Sequence, residues 1–253
     1  MPGPMSANDH PVVGVIGGMG PDATVDLMQR VICATPAKDD ADHIHLLVDN
    51  NPKVPSRIAA LVEGHGESPA PVLVQMAQNL ERAGADLLAI PCITAHAYLD
   101  HIRGAVAIPV LDMIQMTADR LTELSSQPET VGVIASSAVL KAELYGKALK
   151  ARGLDVVLPT VADQDAVMTL IKKVKSRQVS MEDHQRFGDI ANCLVEDGAQ
   201  AIAVACTDLS VMGQDSLISN VPLIDALDVL TEAIVTYVEQ LGQSPVRDSI
   251  QGV

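Results

Sequence analysis

Short apolar runs alternate with longer amphipathic stretches along almost the whole chain. The apolar runs have the length of buried strands, and the amphipathic stretches have the spacing of helices. Strands are predicted at about 12–16, 45–49, 87–90, 131–135, 155–158 and 201–205, and helices at about 22–34, 71–83, 95–102, 113–124, 138–151, 163–175, 181–197 and 227–241. Strands that alternate with helices in this way indicate an α/β fold with parallel sheets and right-handed crossovers.

The second half of the chain repeats landmarks of the first half in the same order. Residues 12–18 correspond to residues 131–137, and the strand that ends at Cys92 corresponds to the strand that ends at Cys206. A Pro-x-x-Asp segment follows each cysteine strand, at 109–112 and at 222–225. We interpret these matches as two similar half-molecules. We expect the segment after each cysteine to cross to the other half, so the first domain comprises residues 1–108 and 222–253 and the second comprises residues 109–221.

Each half offers one cysteine at the end of an apolar strand. Cys92 and Cys206 are each followed by a threonine and the start of a helix. The ligand crevice of an open α/β fold lies at the carboxyl ends of its strands, and a helix start favours the thiolate form of a cysteine. Cys33 and Cys193 lie inside apolar helix patterns, and we expect both to be buried and inert.

Composition and charge exclude several classes of partner. The chain has 253 residues, 48% of them hydrophobic, and a formal charge of -15. Nucleic acids and anionic membranes select for basic surfaces, so neither is an expected partner. We find no secretory leader, no apolar run of about 20 residues and no cysteine spacing typical of a metal site. These features predict a cytoplasmic protein with free thiols and no metal.

Two facing thiols are compatible with several chemistries. A disulfide is disfavoured in a reducing compartment, and a cysteine hydrolase would use one cysteine with a histidine and leave the second thiol idle. His96 could serve that role from its helix turn, or it could be structural. Two opposed thiols suit an inversion at Cα, in which one removes a proton and the other delivers one to the opposite face. No cofactor is needed if the site stabilises the carbanion electrostatically.

Basic residues near the cysteines are candidates for binding a carboxylate. Arg57 lies in the loop that follows the second strand, and its planar guanidinium can bind a carboxylate with two hydrogen bonds. Lysines 172, 173 and 175 cluster on one helix, where a charge cluster usually faces solvent, although one at the helix end could point at an anion. The glycine-rich residues 17–20 lack both phosphate-loop patterns, which makes a dinucleotide ligand improbable.

Four motifs together resemble the cofactor-independent aspartate/glutamate racemase family, and its aspartate racemase branch most of all. They are Gly17-Gly18-Met19-Gly20-Pro21, Asn50-Asn51-Pro52 with Pro55 and Arg57, Pro91-Cys92 with Thr94-Ala95-His96, and Cys206-Thr207-Asp208. The resemblance implies two pseudo-symmetric Rossmann-like domains with the active site in the cleft between them. It also implies a homodimer that acts on an amino acid without a cofactor.

The resemblance assigns roles to individual residues. Cys92 and Cys206 would be the two acid-base groups, and Arg57 and Lys175 would bind substrate carboxylates. Met19, Thr94 and Thr207 match positions that line the site. The chain departs from the family pattern at Ile93, where an asparagine is usual, and at Ser56, where an aspartate is usual.

Three functional hypotheses stay open on these residues. The first is a racemase of aspartate, of glutamate or of another amino acid. The second is a maleate isomerase or an arylmalonate-type decarboxylase of the same superfamily, although the decarboxylase needs only one cysteine. The third is a catalytically weak amino-acid-binding homologue in which Ile93 has impaired the site.

Overall fold

Two parallel sheets with surrounding helices form the protein, seen here in a computed structural model that describes residues 11–213 and 221–242. The first sheet has the strand order β2-β1-β3, and the second has the order β5-β4-β6-β7. The strands are β1 (Val12–Gly17), β2 (His45–Asn50), β3 (Leu87–Ala89), β4 (Thr130–Ile134), β5 (Asp155–Val157), β6 (Ala201–Val204) and β7 (Leu223–Asp225). All the pairings are parallel, which confirms the predicted α/β class with two parallel sheets.

Eleven α-helices connect and cover these sheets within the described residues. They are α1 (Pro21–Ala34), α2 (Arg57–Leu61), α3 (Ala70–Arg82), α4 (Leu99–Arg103), α5 (Met113–Thr122), α6 (Ser137–Lys141), α7 (Leu144–Lys150), α8 (Val161–Lys175), α9 (Met181–Glu196), α10 (Ser210–Gly213) and α11 (Ala226–Gly242). None of the helices in the described part of the chain combines the length and apolar character that a membrane span requires.

The internal repeat is visible as two glycines, one on β1 and one on β4, that leave room for a side chain of the neighbouring cysteine strand. A Cβ atom on Gly14 would lie 2.7 Å from Leu88 Cδ2, and a Cβ atom on Gly132 would lie 2.6 Å from Ile202 Cδ1. Both distances are too short for real atoms. Each half therefore packs its cysteine strand tightly against a central strand that has glycine at the equivalent position.

The segments that follow the cysteine strands do not cross between the halves as predicted. Val110 bridges Leu88 in the first sheet, and β7 pairs with β6 in the second, so each segment stays beside the strand of its own cysteine. The crossing occurs at the helices that come next. Helix α5 packs against α7 of the second half, and α11 packs against α1 of the first. The division into the two residue ranges given above stays a prediction.

One predicted helix is broken in the structure. The pattern predicts a continuous helix at 138–151, but the chain forms α6 and α7 with Glu143 between them in a left-handed conformation, at φ 52°. Tyr145 and Leu149 on α7 are fully buried in the core that α5 and α11 share. The local sequence pattern does not show this packing of α7 on the core, and it therefore does not predict the break.

Candidate active site

The two strand-ending cysteines occupy equivalent positions in the two halves. Cys92 follows β3 and begins the 3-10 helix Ile93–Tyr98, while Cys206 follows β6 and begins the 3-10 helix Thr207–Leu209. Their backbone angles are nearly identical, at φ -154° and ψ 110° for Cys92 and φ -151° and ψ 113° for Cys206. Both side chains are buried. The repeat therefore places each thiol in the same local geometry at the carboxyl edge of its sheet.

A cavity of about 100 Å³ lies between the two halves, and both thiols line it. Every residue that the sequence nominates for the site lines this cavity. They are Cys92, Cys206, Met19, Arg57, Ile93, Thr94, Lys175 and Thr207. A larger surface groove of about 350 Å³ between α5 and α11 contains no cysteine. The chemistry-bearing residues from both halves therefore converge on one small cavity.

The cavity is also lined by seven residues that were not predicted from the sequence. They are Ser56, Ile58, Ser136, Val139, Met168, Ile171 and Asp208. Ser136 lies in the segment 131–137, which corresponds to the glycine-ended segment 12–18 just before Met19, so the repeat indicates this region of the chain but not Ser136 itself. Met168 and Ile171 lie on α8, and no local motif marks them.

The two thiols have different polar neighbours. Thr94 Oγ1 lies 3.3 Å from the sulfur of Cys92. Burial raises the pKa of the Cys206 thiol strongly, and the nearby Asp208 carboxylate raises it further, while the Asp208 backbone N-H and Lys175 act in the opposite direction. Burial and the Asp208 carboxylate therefore both favour the protonated thiol of Cys206.

Arg57 has an unused hydrogen-bond donor at the cavity. Its Nη1 donates to the carbonyl oxygens of Val54, at 3.3 Å, and Pro55, at 3.1 Å. Its Nε is buried and has no partner among the described residues. A buried guanidinium donor without a partner is costly, and a ligand carboxylate would satisfy it.

Lys175 forms an ion pair with Asp208, and both residues line the cavity. Lys175 is the last residue of α8, and its Nζ lies 2.7 Å from Asp208 Oδ2. Gly20 leaves room for this pair, because a Cβ atom there would lie 3.2 Å from Asp208 Oδ1 and 3.4 Å from Lys175 Nζ. Of the three clustered lysines, the structure places only Lys175 among the residues that line the cavity.

Comparison with known proteins identifies the family. A family model described as Asp/Glu/Hydantoin racemase matches residues 16–234. The chain belongs to this racemase family. It is therefore an isomerase, and its two parallel sheets have the two-domain architecture of racemase structures.

Relatives in this family include proteins of known sequence and structure. The chain is 28% identical over 229 residues to the broad specificity amino-acid racemase RacX of Bacillus subtilis, covering 89% of this chain and 97% of RacX. It resembles the aspartate racemase of Picrophilus torridus with a TM-score of 0.78 and 30% identity, over 90% of this chain and 94% of that one. An aspartate racemase homologue of Pyrococcus horikoshii shares the fold, with a TM-score of 0.74 and 21% identity over 90% of this chain and 98% of that one.

His96 has a structural position in this racemase. Its Nε2 accepts a hydrogen bond from the Met113 backbone N-H at 3.1 Å, so its Nδ1 carries the proton and donates to the Cys92 carbonyl at 2.9 Å. Burial lowers the pKa of His96, which keeps the ring neutral. Both ring nitrogens are therefore occupied by backbone groups, which resolves the open alternative in favour of a structural histidine.

The prediction that Cys33 is buried is wrong. Cys33 is exposed near the end of α1, and Cys193 is only partly buried. Helix α1 buries Ala23, Thr24, Leu27 and Val31, and Cys33 lies off this stripe. Neither cysteine lines the candidate site.

Proposed function

We propose that this racemase inverts the Cα of an amino acid by two-base proton transfer between Cys92 and Cys206. The observation that carries the proposal is the pair of buried thiols, equivalent in the repeat, on one cavity between the halves. One sulfur, as thiolate, removes the Cα proton, and the other, as thiol, delivers a proton to the opposite face. Burial and the Asp208 carboxylate raise the pKa of Cys206, which favours the proton-donor role for this thiol in the first half-reaction.

The charges of the cavity support an acidic amino acid, with aspartate first and glutamate second. The described lining contains two cations, Arg57 and Lys175, and one carboxylate, Asp208. An acidic amino acid has two carboxylates and one ammonium group, so its charges are complementary to these three side chains. The unpartnered Nε of Arg57 supplies a donor for one carboxylate.

A second observation favours a neutral aliphatic amino acid as the alternative substrate. Ile58, Ile93, Val139, Met168 and Ile171 give the cavity an apolar wall. The Lys175 ammonium is already paired with Asp208, so binding a second carboxylate there would require this pair to rearrange. A similar protein carries a name that describes broad specificity.

Proton NMR in D₂O tests the reaction and the substrate together. L- and D-aspartate, L- and D-glutamate and L- and D-leucine are incubated separately with the wild-type protein. We expect deuterium at Cα by NMR, and the opposite enantiomer by chiral chromatography of the same samples, fastest for aspartate. A faster reaction of leucine would reject the acidic preference, and no exchange with any of the six would reject the proposed activity for both substrate classes.

Single cysteine variants test the two-base mechanism. Cys92→Ala and Cys206→Ala should each abolish inversion, because each leaves one face of Cα without a proton donor or acceptor. Any remaining deuterium exchange should be confined to one enantiomer, and to opposite enantiomers in the two variants. Cys33→Ala is the matched control and should retain wild-type activity, because Cys33 is exposed and outside the cavity. Inversion by either single active-site variant would contradict the mechanism.

The role of Arg57 is tested by its closest substitution. Arg57→Lys keeps the charge but loses the planar guanidinium, so we expect a higher KM with a smaller change in kcat.

A homodimer in the cytoplasm completes the proposal, and sedimentation equilibrium of the full chain measures the oligomeric state.

A further inference from the structure

A chain of buried hydrogen bonds connects the Cys206 turn to helix α1 in the other half. Ser210 follows Cys206 by four residues, and its Oγ donates to Asp225 Oδ1 at 2.7 Å. The same carboxylate oxygen accepts the Leu227 backbone N-H at 3.0 Å. The other oxygen, Oδ2, accepts from Arg30 Nη1 at 2.9 Å. Ser210 and Asp225 are both buried, so water does not compete for these bonds.

Arg30 forms an ion pair with the buried Asp225. Its guanidinium also donates to Asp26 Oδ1 at 3.1 Å, to Asp26 Oδ2 at 3.0 Å and to Asp228 Oδ1 at 2.5 Å. Burial raises the pKa of Asp225 above its usual value, although the Arg30 charge opposes that rise. A carboxylate that accepts charge-assisted hydrogen bonds is a stronger and more directional acceptor than a neutral group. Arg30 therefore keeps Asp225 oriented toward Ser210.

The Cys206 turn is anchored at both ends by these contacts. The Leu209 backbone N-H closes the turn on the Cys206 carbonyl at 2.8 Å, and Ser210 begins α10 directly after it. On the cavity side, Thr207 Oγ1 donates to the Pro91 carbonyl of the other half at 3.1 Å. The position of the Cys206 sulfur thus depends on a short turn whose far end is fixed by Ser210.

The first half anchors its own cysteine at the equivalent place by different chemistry. His96 also follows its cysteine by four residues, and it also reaches the start of the helix after a Pro-x-x-Asp segment, through the Met113 N-H. Ser210 reaches Asp225, the last residue of the second Pro-x-x-Asp segment. In each half, the side chain four residues after the cysteine thus contacts the chain at the end of the following Pro-x-x-Asp segment. The two side chains differ in type, so what the halves share is an anchored cysteine turn.

We propose that Ser210 and Asp225, oriented by Arg30, are positioning residues for Cys206, and that His96 is their counterpart for Cys92. The proposal rests on the two-thiol racemisation proposed above. It predicts a directional effect, because each thiol serves one face of Cα. Weakening the Ser210 anchor slows proton transfer at Cys206 and leaves transfer at Cys92 intact.

Values of kcat/KM alone cannot show which of the two thiols has been slowed. A racemisation has an equilibrium constant of one, so kcat/KM must be equal for the two enantiomers in every variant. The primary deuterium isotope effect separates them, because it reports how far removal of the Cα proton limits each direction. When transfer at Cys206 slows, the effect should rise for the enantiomer that Cys206 deprotonates and fall for the other.

The experiment measures isotope effects on kcat/KM with both Cα-deuterated enantiomers of the amino acid that the NMR assay identifies. The variants are Ser210→Ala and Asp225→Asn, with Cys206→Ser as the reference for a slowed Cys206 and His96→Gln for the other thiol. Thr231→Ala is the matched control, because Thr231 is a buried hydroxyl that bonds only the Leu227 carbonyl of its own helix among the contacts described. Circular dichroism confirms that each variant is folded.

We expect Ser210→Ala to lower kcat/KM by about 10- to 100-fold, the range for a misplaced catalytic group. Its isotope effects should shift in the same sense as those of Cys206→Ser and opposite to those of His96→Gln. Asp225→Asn keeps an oxygen for Ser210 but loses the ion pair, so it should shift in the same sense by less. Ser210→Thr should restore the wild-type values, and Thr231→Ala should keep them.

Two results would overturn the inference in distinguishable ways. If Cys206→Ser shifts the isotope effects and neither Ser210→Ala nor Asp225→Asn does, the positioning role is wrong while the two-thiol mechanism stands. If Cys206→Ser itself produces no directional shift, the two-base mechanism fails and the positioning role fails with it.

Discussion

Replacing His96 should change how the stability of this protein depends on pH. His96 is buried and neutral in the folded state, where burial lowers its pKa; the Asp112 carboxylate opposes this and Arg103 reinforces it. In the unfolded chain the ring regains the ordinary histidine pKa of about 6.5. Below that pH the unfolded state takes up a proton that the folded state does not. The free energy of unfolding therefore falls as the pH falls.

The magnitude follows from proton linkage. One proton bound only by the unfolded state gives a slope of about 1.4 kcal/mol per pH unit. Between pH 7.5 and pH 5.5, a group with an unfolded pKa of about 6.5 that stays neutral when folded contributes a loss of up to about 1.4 kcal/mol. His96→Gln keeps an acceptor for the Met113 N-H but cannot titrate, so it should lack this loss. Removing the contact to the Cys92 carbonyl should cost about 1–3 kcal/mol at both pH values.

Urea unfolding of the wild type and His96→Gln at pH 7.5 and 5.5, at constant ionic strength, measures the difference. Other groups titrate in both proteins and cancel in the comparison. His101→Gln is the matched control, because His101 is exposed, and it should follow the wild-type pH dependence. If the gap between the wild type and His96→Gln is the same at both pH values, the buried neutral histidine is refuted.

Three further outcomes test the fold and the site. Gly132→Ala should cost about 1–3 kcal/mol in urea unfolding, because its Cβ would meet Ile202 Cδ1 at 2.6 Å. Gly146→Ala, whose Cβ would meet Glu143 Cβ at 4.0 Å, should be neutral or stabilising; equal effects would contradict the close approach. Glu143→Gly should raise stability by about 0.5–1 kcal/mol, because it relieves a left-handed φ of 52°, and a loss of stability would contradict this. Alkylation of Cys206 by iodoacetamide, followed by mass spectrometry, should still accelerate between pH 7 and 9, because burial and Asp208 raise its pKa; a plateau below pH 8 would show a thiolate instead.

Much of the candidate site was predictable because its signals are local. Cys92 and Cys206 end apolar strands, and the carboxyl ends of parallel strands share one edge of a sheet. Arg57 follows the proline-rich loop after β2 and begins α2, at the same edge. The repeat then shows that the chain supplies two such thiols. The parallel pairing and the residues nearest to the chemistry thus follow from the alternation of strands and helices, from strand ends and from family motifs.

The tertiary structure decided everything that depends on pairs of residues far apart in the chain. The ion pair of Lys175 with Asp208 and the buried link from Arg30 to Asp225 join side chains whose local sequence contains no sign of a partner. No local motif in the sequence predicts the apolar wall that α8 contributes to the cavity. Helix periodicity alone did not show that Cys33 on α1 faces solvent. Local sequence determines which residues end a strand or begin a helix, whereas charge pairing, burial and the shape of a cavity arise only when distant segments pack together.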